Sequence, residues 1–197
     1  MNRLFLNFLR VYPSKKSMKN IYLSLILALS STHLVSAQSN REVVRDSSGR
    51  LVHTIERHVS PSGQITSTTR DAAGRLVQRS STQVSPSGRA QTQYRDASGR
   101  LTGTAQSQSL GHSQSTQFRD AAGRLTGTAH TRLPSAQSTQ TQYRDAAGRL
   151  TGQAQSHQAG RSFTSQHRDS SGRLTGQSHG FGLVPGRPPV PPNAQKK

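Results

Sequence analysis

Polar and apolar positions alternate one by one along much of the chain. Thr139-Gln140-Thr141-Gln142-Tyr143 runs into an Asp-x-x-Gly segment, and Leu150-Thr151-Gly152-Gln153-Ala154 runs out of it. Period-two patterns on both sides of a Gly-containing turn predict a β-hairpin, because successive side chains of a strand point to opposite faces. The unit recurs six times as Arg-Asp-x-x-Gly-Arg-Leu, at 45–51, 70–76, 95–101, 119–125, 144–150 and 168–174. Its aspartates are Asp46, Asp71, Asp96, Asp120, Asp145 and Asp169, spaced 24 or 25 residues apart. A fixed period of that length marks a repeat architecture.

Asp-x-x-Gly is turn chemistry. The Asp carboxylate can accept backbone N–H groups, and Gly49, Gly74, Gly99, Gly123, Gly148 and Gly172 can take positive φ without a Cβ clash. A looser turn falls between motifs, at Ser60-Pro61-Ser62-Gly63 and Ser85-Pro86-Ser87-Gly88 and later at Leu133-Pro134-Ser135 and Gln158-Ala159-Gly160. The fold expected is all-β: an antiparallel hairpin meander or open β-spiral of about twelve short strands. Two registers are open. With Asp paired to Gly, Tyr94 faces Leu101 but Arg95 opposes Arg100; with Gly in a bulge, Asp96 opposes Arg100, Tyr94 opposes Thr102 and Arg95 lies beside Leu101. Like charges directly opposite are destabilising, which favours the bulge. Each repeat offers one Leu, an Ala or Ser, and an aromatic at Tyr94, Phe118 and Tyr143, replaced by Val44, Thr69 and His167 in the other copies. That predicts a thin core.

Composition sharpens this picture. Residues 38–197 hold 22 Leu, Ile, Val or Phe among 160, with 21 basic and 8 acidic side chains. So little apolar mass with a net charge of +13 disfavours a compact enzyme. The N-terminus differs. Lys15, Lys16 and Lys19 precede an apolar run from Ile21 to Leu29, followed by Val35-Ser36-Ala37, the order of a secretory signal peptide. Cleavage is expected between Ala37 and Gln38, with Met18 an alternative start. The domains expected are a signal helix over 1–37, a short linker over 38–43, the repeat region over 44–180 and a disordered Pro-rich basic tail over 181–197. Destination is the periplasm, the cell surface or the medium, and the mature chain carries no integral membrane anchor. With no Cys, disulfides and thiolate metal sites are excluded.

Tyr143-Arg144-Asp145-Ala146-Ala147-Gly148-Arg149-Leu150-Thr151 resembles the Tyr-Asp-x-x-Gly-Arg-Leu core of the YD repeats in Rhs-type exported proteins. The resemblance covers Val44 to roughly Gly176 through the turn and its flanks. It implies β-strands and export. Here an Arg separates the aromatic from Asp, which changes the strand face of the aromatic relative to that family.

Arginine dominates the charge: Arg45 and Arg50, Arg70 and Arg75, Arg95 and Arg100, Arg119 and Arg124, Arg144 and Arg149, and Arg168 and Arg173 flank the six turns. Such an array presents a periodic cationic edge suited to an anionic surface polymer. Open β-edges also invite self-association. Nucleic acid is disfavoured, since stacking aromatics are few and export removes the chain from most DNA and RNA. The His residues show no ligand spacing, so no metal or cofactor is expected, and no catalytic constellation can be nominated. The function expected is that of an exported, non-enzymatic, low-complexity basic repeat protein with a structural, adhesive or surface-polymer-binding role. Its multivalent cationic hairpins supply the contacts. The alternatives are a largely disordered polycation that orders on an anionic partner, and an inhibitor or chaperone-like partner of another exported protein.

Overall fold

Each Arg-Asp-x-x-Gly-Arg segment reverses the chain in the same way. The Asp N–H donates to the carbonyl of the second Arg, and the Gly N–H donates back to the Asp carbonyl at 3.0 Å. The six motif glycines hold φ between 79° and 83°. This is a turn closed by a left-handed Gly, so the bulge register is the one adopted. The computed structural model describes residues 38–181; the expected signal segment with Ala37 and residues 182–197 of the expected tail lie outside them, while Phe181, expected to begin that tail, ends the last strand. Twelve strands follow: β1 (Gln38–Asp46), β2 (Leu51–Val59), β3 (Ile65–Asp71), β4 (Leu76–Val84), β5 (Arg89–Asp96), β6 (Leu101–Leu110), β7 (Ser113–Asp120), β8 (Leu125–Ser135), β9 (Ser138–Asp145), β10 (Leu150–Ala159), β11 (Ser162–Asp169) and β12 (Leu174–Phe181). Residues 38–43, expected as a linker, belong to β1.

The sheet is not an open meander. Every strand pairs antiparallel with its chain neighbours, and β1 pairs with β12 to close a barrel. The closing register repeats the one between successive hairpins. Gly176 lies opposite Asp46 across the closure, as Gly103 lies opposite Asp120, Gly127 opposite Asp145 and Gly152 opposite Asp169. Following the ladder from Val44 to His53 to Asp71 advances two residues per repeat, so six repeats give a shear of twelve for twelve strands. That combination suits the strand tilt of about 35–45° usual in barrels. Closure removes the unpaired edges that a ribbon would carry and folds its inner face on itself. The open edges on which self-association was expected to depend are therefore absent among the described residues.

A second irregularity decides what the barrel encloses. Arg95 pairs with Leu101, but Tyr94 pairs with Gly103, not with Thr102. The extra residue turns Leu101 away from the lumen, where it is 37% exposed; Leu51 and Leu125 are as open. The repeat leucines, expected in the core, rim it instead. The lumen is filled by the residue two before each Asp. Tyr94, Phe118 and Tyr143 point inward and interleave with Ala105, Ala129 and Ala154 in one apolar cluster. Each faces a glycine on the next strand: Gly103, Gly127 and Gly152. The pattern holds by size: His167 faces Gly176, whereas the small Val44 and Thr69 face His53 and Gln78. Large meets small at every hairpin, the condition for close packing inside a closed wall. The outward face reads Gln, Thr, Ser, Arg and His, as in Gln91, Gln106 and Gln117 on three successive strands. It lacks the apolar band by which a membrane-spanning barrel meets lipid.

Candidate polyanion-binding rim

Because hairpins joined by the Asp-x-x-Gly turns all run odd strand to even strand, the six turns share one rim. The chain's periodic cationic edge is thus a ring. Two arginines and one aspartate per turn give that rim a net charge of +6. The two arginines of each motif do different work. The first caps the turn: Arg45, Arg70, Arg95, Arg119, Arg144 and Arg168 each donate from Nη1 to the carbonyl of the motif glycine, at 2.8–3.0 Å. The second, at Arg50, Arg75, Arg100, Arg124, Arg149 and Arg173, projects into solvent.

The aspartates are folded into the turns. Oδ1 of each accepts two backbone N–H groups, as Asp120 does from Ala122 and Arg124 at 2.9 Å. Where the third turn residue is Ala, the other oxygen pairs with the outer arginine: Asp71 with Arg75, Asp120 with Arg124 and Asp145 with Arg149, all at 2.8 Å. These guanidinium groups stay 70–81% exposed, so solvent screens each pair and it adds little to stability. Where the third residue is Ser48 or Ser171, its hydroxyl donates to the carboxylate at 2.7 Å instead. These bonds shift the carboxyls. The Ser48 hydroxyl bond holds Asp46 below the usual carboxylate range, and Ser171 does the same for Asp169. The Arg149 backbone N–H lowers Asp145. At Asp71 and Asp120 partial burial works the other way and is outweighed by the backbone and guanidinium groups of Arg75 and Arg124. Among the described residues the guanidinium groups of Arg50, Arg100 and Arg173 make no hydrogen bond. Negative charge is thus drawn into the loops while positive charge faces out.

The opposite rim carries the other loops. It presents Arg89, Arg132 and Arg161, the exposed Leu110 and Phe181, and both ends of the described chain. Gln38 and Phe181 begin and end neighbouring strands there.

Inside the wall, the sequence reading missed a buried polar group. Four junctions between hairpins are pinned by paired inward hydroxyls: Thr82 with Thr92, Ser107 with Thr116, Thr131 with Thr141, and Ser165 donating to Ser156. Within the β1–β2 hairpin, beside the closure, the lumen holds an ion pair. Arg57 Nη2 donates to Glu42 Oε2 at 2.6 Å, both side chains about 96–97% buried. His167, on β11, lies within electrostatic range of Glu42, but burial dominates and lowers its pKa to about 4. Burial also lowers His53 and raises the phenol of Tyr143, the latter with help from Glu42. Neither ring nitrogen of His167 has a protein hydrogen-bond partner among the described residues. Glu42 and Glu56 are the chain's only glutamates, which was the available signal. Among the described residues no cluster of three His, Asp or Glu is placed to hold a metal ion. Neither a protein-family model nor any curated protein matches this chain.

Proposed function

We propose that this chain is an exported, non-enzymatic scaffold whose six-turn rim binds polyanionic surface material. The observation that carries the reading is the ring of outward guanidinium groups around inward-turned carboxylates. Six similar weak contacts on one rigid body act together, so their combined hold on a multiply charged partner far exceeds that of one turn. The closed, register-locked barrel supports a folded scaffold over a polycation that orders only on binding. A signal-like N-terminus supports export.

The test is retention of the 38–197 segment, which contains every barrel strand, on immobilised heparin across a salt series. Expected is binding that weakens linearly on a log–log scale with salt. The triple variant R50Q/R100Q/R173Q should have a shallower slope, losing roughly one released counterion per arginine. The matched variant R89Q/R132Q/R161Q, on the opposite rim, should keep the slope. Equal loss for both variants, or no retention at low salt, would reject the rim as the binding site.

A further inference from the structure

We infer that the partner of this rim is a flat anionic lipid surface, on which the barrel stands end-on. This rests on the polyanion reading above and goes beyond it by naming the partner's shape and chemistry.

Flatness follows from closure. A repeating contact that returns to its starting strand in the same register is a rotation without translation; any translation would leave an open spiral. The β12–β1 register matches that of the other inter-hairpin junctions. The six turns are therefore related by an approximate six-fold rotation and lie at one height. Strands about 4.8 Å apart and tilted by about 40° place neighbouring turns roughly 12 Å apart, on a circle roughly 20–25 Å across. A linear polyanion can follow only an arc of such a ring. A plane of headgroups meets all six turns at once.

The second observation is apolar. Leu51, Leu101 and Leu125 stand 36–38% exposed directly after the turns, each in register with the first arginine of its motif: Arg45, Arg95 and Arg119. A hydrated polysaccharide gains nothing from such leucines. The headgroup–acyl boundary does, and it combines them with the attraction of basic side chains for acidic lipids. The polar wall of Gln and Thr above the rim sets the depth at which the barrel stops. The far rim exposes Leu110 and Phe181 but, among the described residues, carries three arginines, half the net charge of the turn rim.

The experiment uses the 38–197 segment, free of the Ile21–Leu29 run that would enter lipid by itself. It is incubated with phosphatidylcholine vesicles, with or without about one-third phosphatidylglycerol, a fraction that mimics a strongly anionic leaflet. Expected is co-sedimentation with the acidic vesicles only, and a loss of roughly 100-fold in R50Q/R100Q/R173Q but not in R89Q/R132Q/R161Q. The chain has no Trp, so single probes report orientation cleanly. Ala72→Trp, at a turn tip, should be quenched by brominated phosphatidylglycerol; Gln137→Trp, in a loop of the opposite rim, should not. Circular dichroism on each variant confirms the β fold. Heparin binding without vesicle binding overturns the flat-surface inference and leaves the polyanion reading standing. Binding to neither removes both. Equal quenching of the two probes overturns the end-on geometry.

Discussion

Tyr143 on β9 faces Gly152 on β10 across the lumen side of one hairpin, and a methyl group added at Gly152 would lie 2.8 Å from the backbone carbonyl of Arg168 on the next strand. The glycine thus makes room for the β11 backbone, the nearest group that a side chain there would meet. Gly127 is tighter, with 2.6 Å to the Arg144 carbonyl. Gly127→Ala and Gly152→Ala should each destabilise the barrel by about 1–3 kcal/mol, because backbone cannot yield as a side chain tip can. Urea unfolding measures it. Tyr143→Ala, which empties the site opposite, should cost about 3–5 kcal/mol.

Asp120 ties two backbone N–H groups and the Arg124 guanidinium into one loop. Asp120→Ala should cost about 1–3 kcal/mol, the range for charge-assisted bonds, and Asp120→Asn less, since the amide oxygen still accepts the backbone groups. Unfolding curves for both variants decide the order; equal losses would assign the effect to charge alone.

His167 makes stability depend on pH. Its folded pKa of about 4 lies below the ordinary value of 6.5, because burial penalises the cation. The neutral ring is favoured by the fold, so its contribution is complete above pH 6.5 and is lost as the pH falls toward 4. At its fullest the effect is about 3 kcal/mol, on the scale of 1.36 kcal/mol per unit. His53 adds in the same direction. Stability measured from pH 7 to pH 4 should fall in the wild type and fall less in His167→Gln.

Glu42 and Arg57 should show the asymmetry of buried charge. Glu42→Leu or Arg57→Met alone strands one partner in the lumen and should cost about 3–5 kcal/mol. Combining Glu42→Leu with Arg57→Met removes both charges and should recover most of that loss. A double-mutant cycle on thermal unfolding reads the coupling.

Much of the fold was legible because it is local. Asp-x-x-Gly fixes the turn, and the repulsion between Arg95 and Arg100 was enough to choose the bulge. The leucines were misread because Thr102 is an extra residue whose effect on facing depends on the partner strand. Size matching was written in the sequence all along, since Leu-Thr-Gly follows the turns of Tyr94, Phe118, Tyr143 and His167, while Leu-Val-His and Leu-Val-Gln follow those of Val44 and Thr69. Closure was not legible: no residue encodes it, and it arises from a small register step accumulated six times. The ring of arginines and the burial of the Glu42–Arg57 pair depend on that closure, so the candidate site could be read as a list of residues but not as a shape.

Gln38 and Phe181 occupy adjacent strands at the rim away from the basic turns. Splicing one to the other and cutting any loop on that same side would yield a circular permutant with identical pairing, so the molecule has no privileged beginning. A gene for such a protein can grow or be reordered by whole hairpins, and whatever is fused at either end leaves the arginine crown unobstructed.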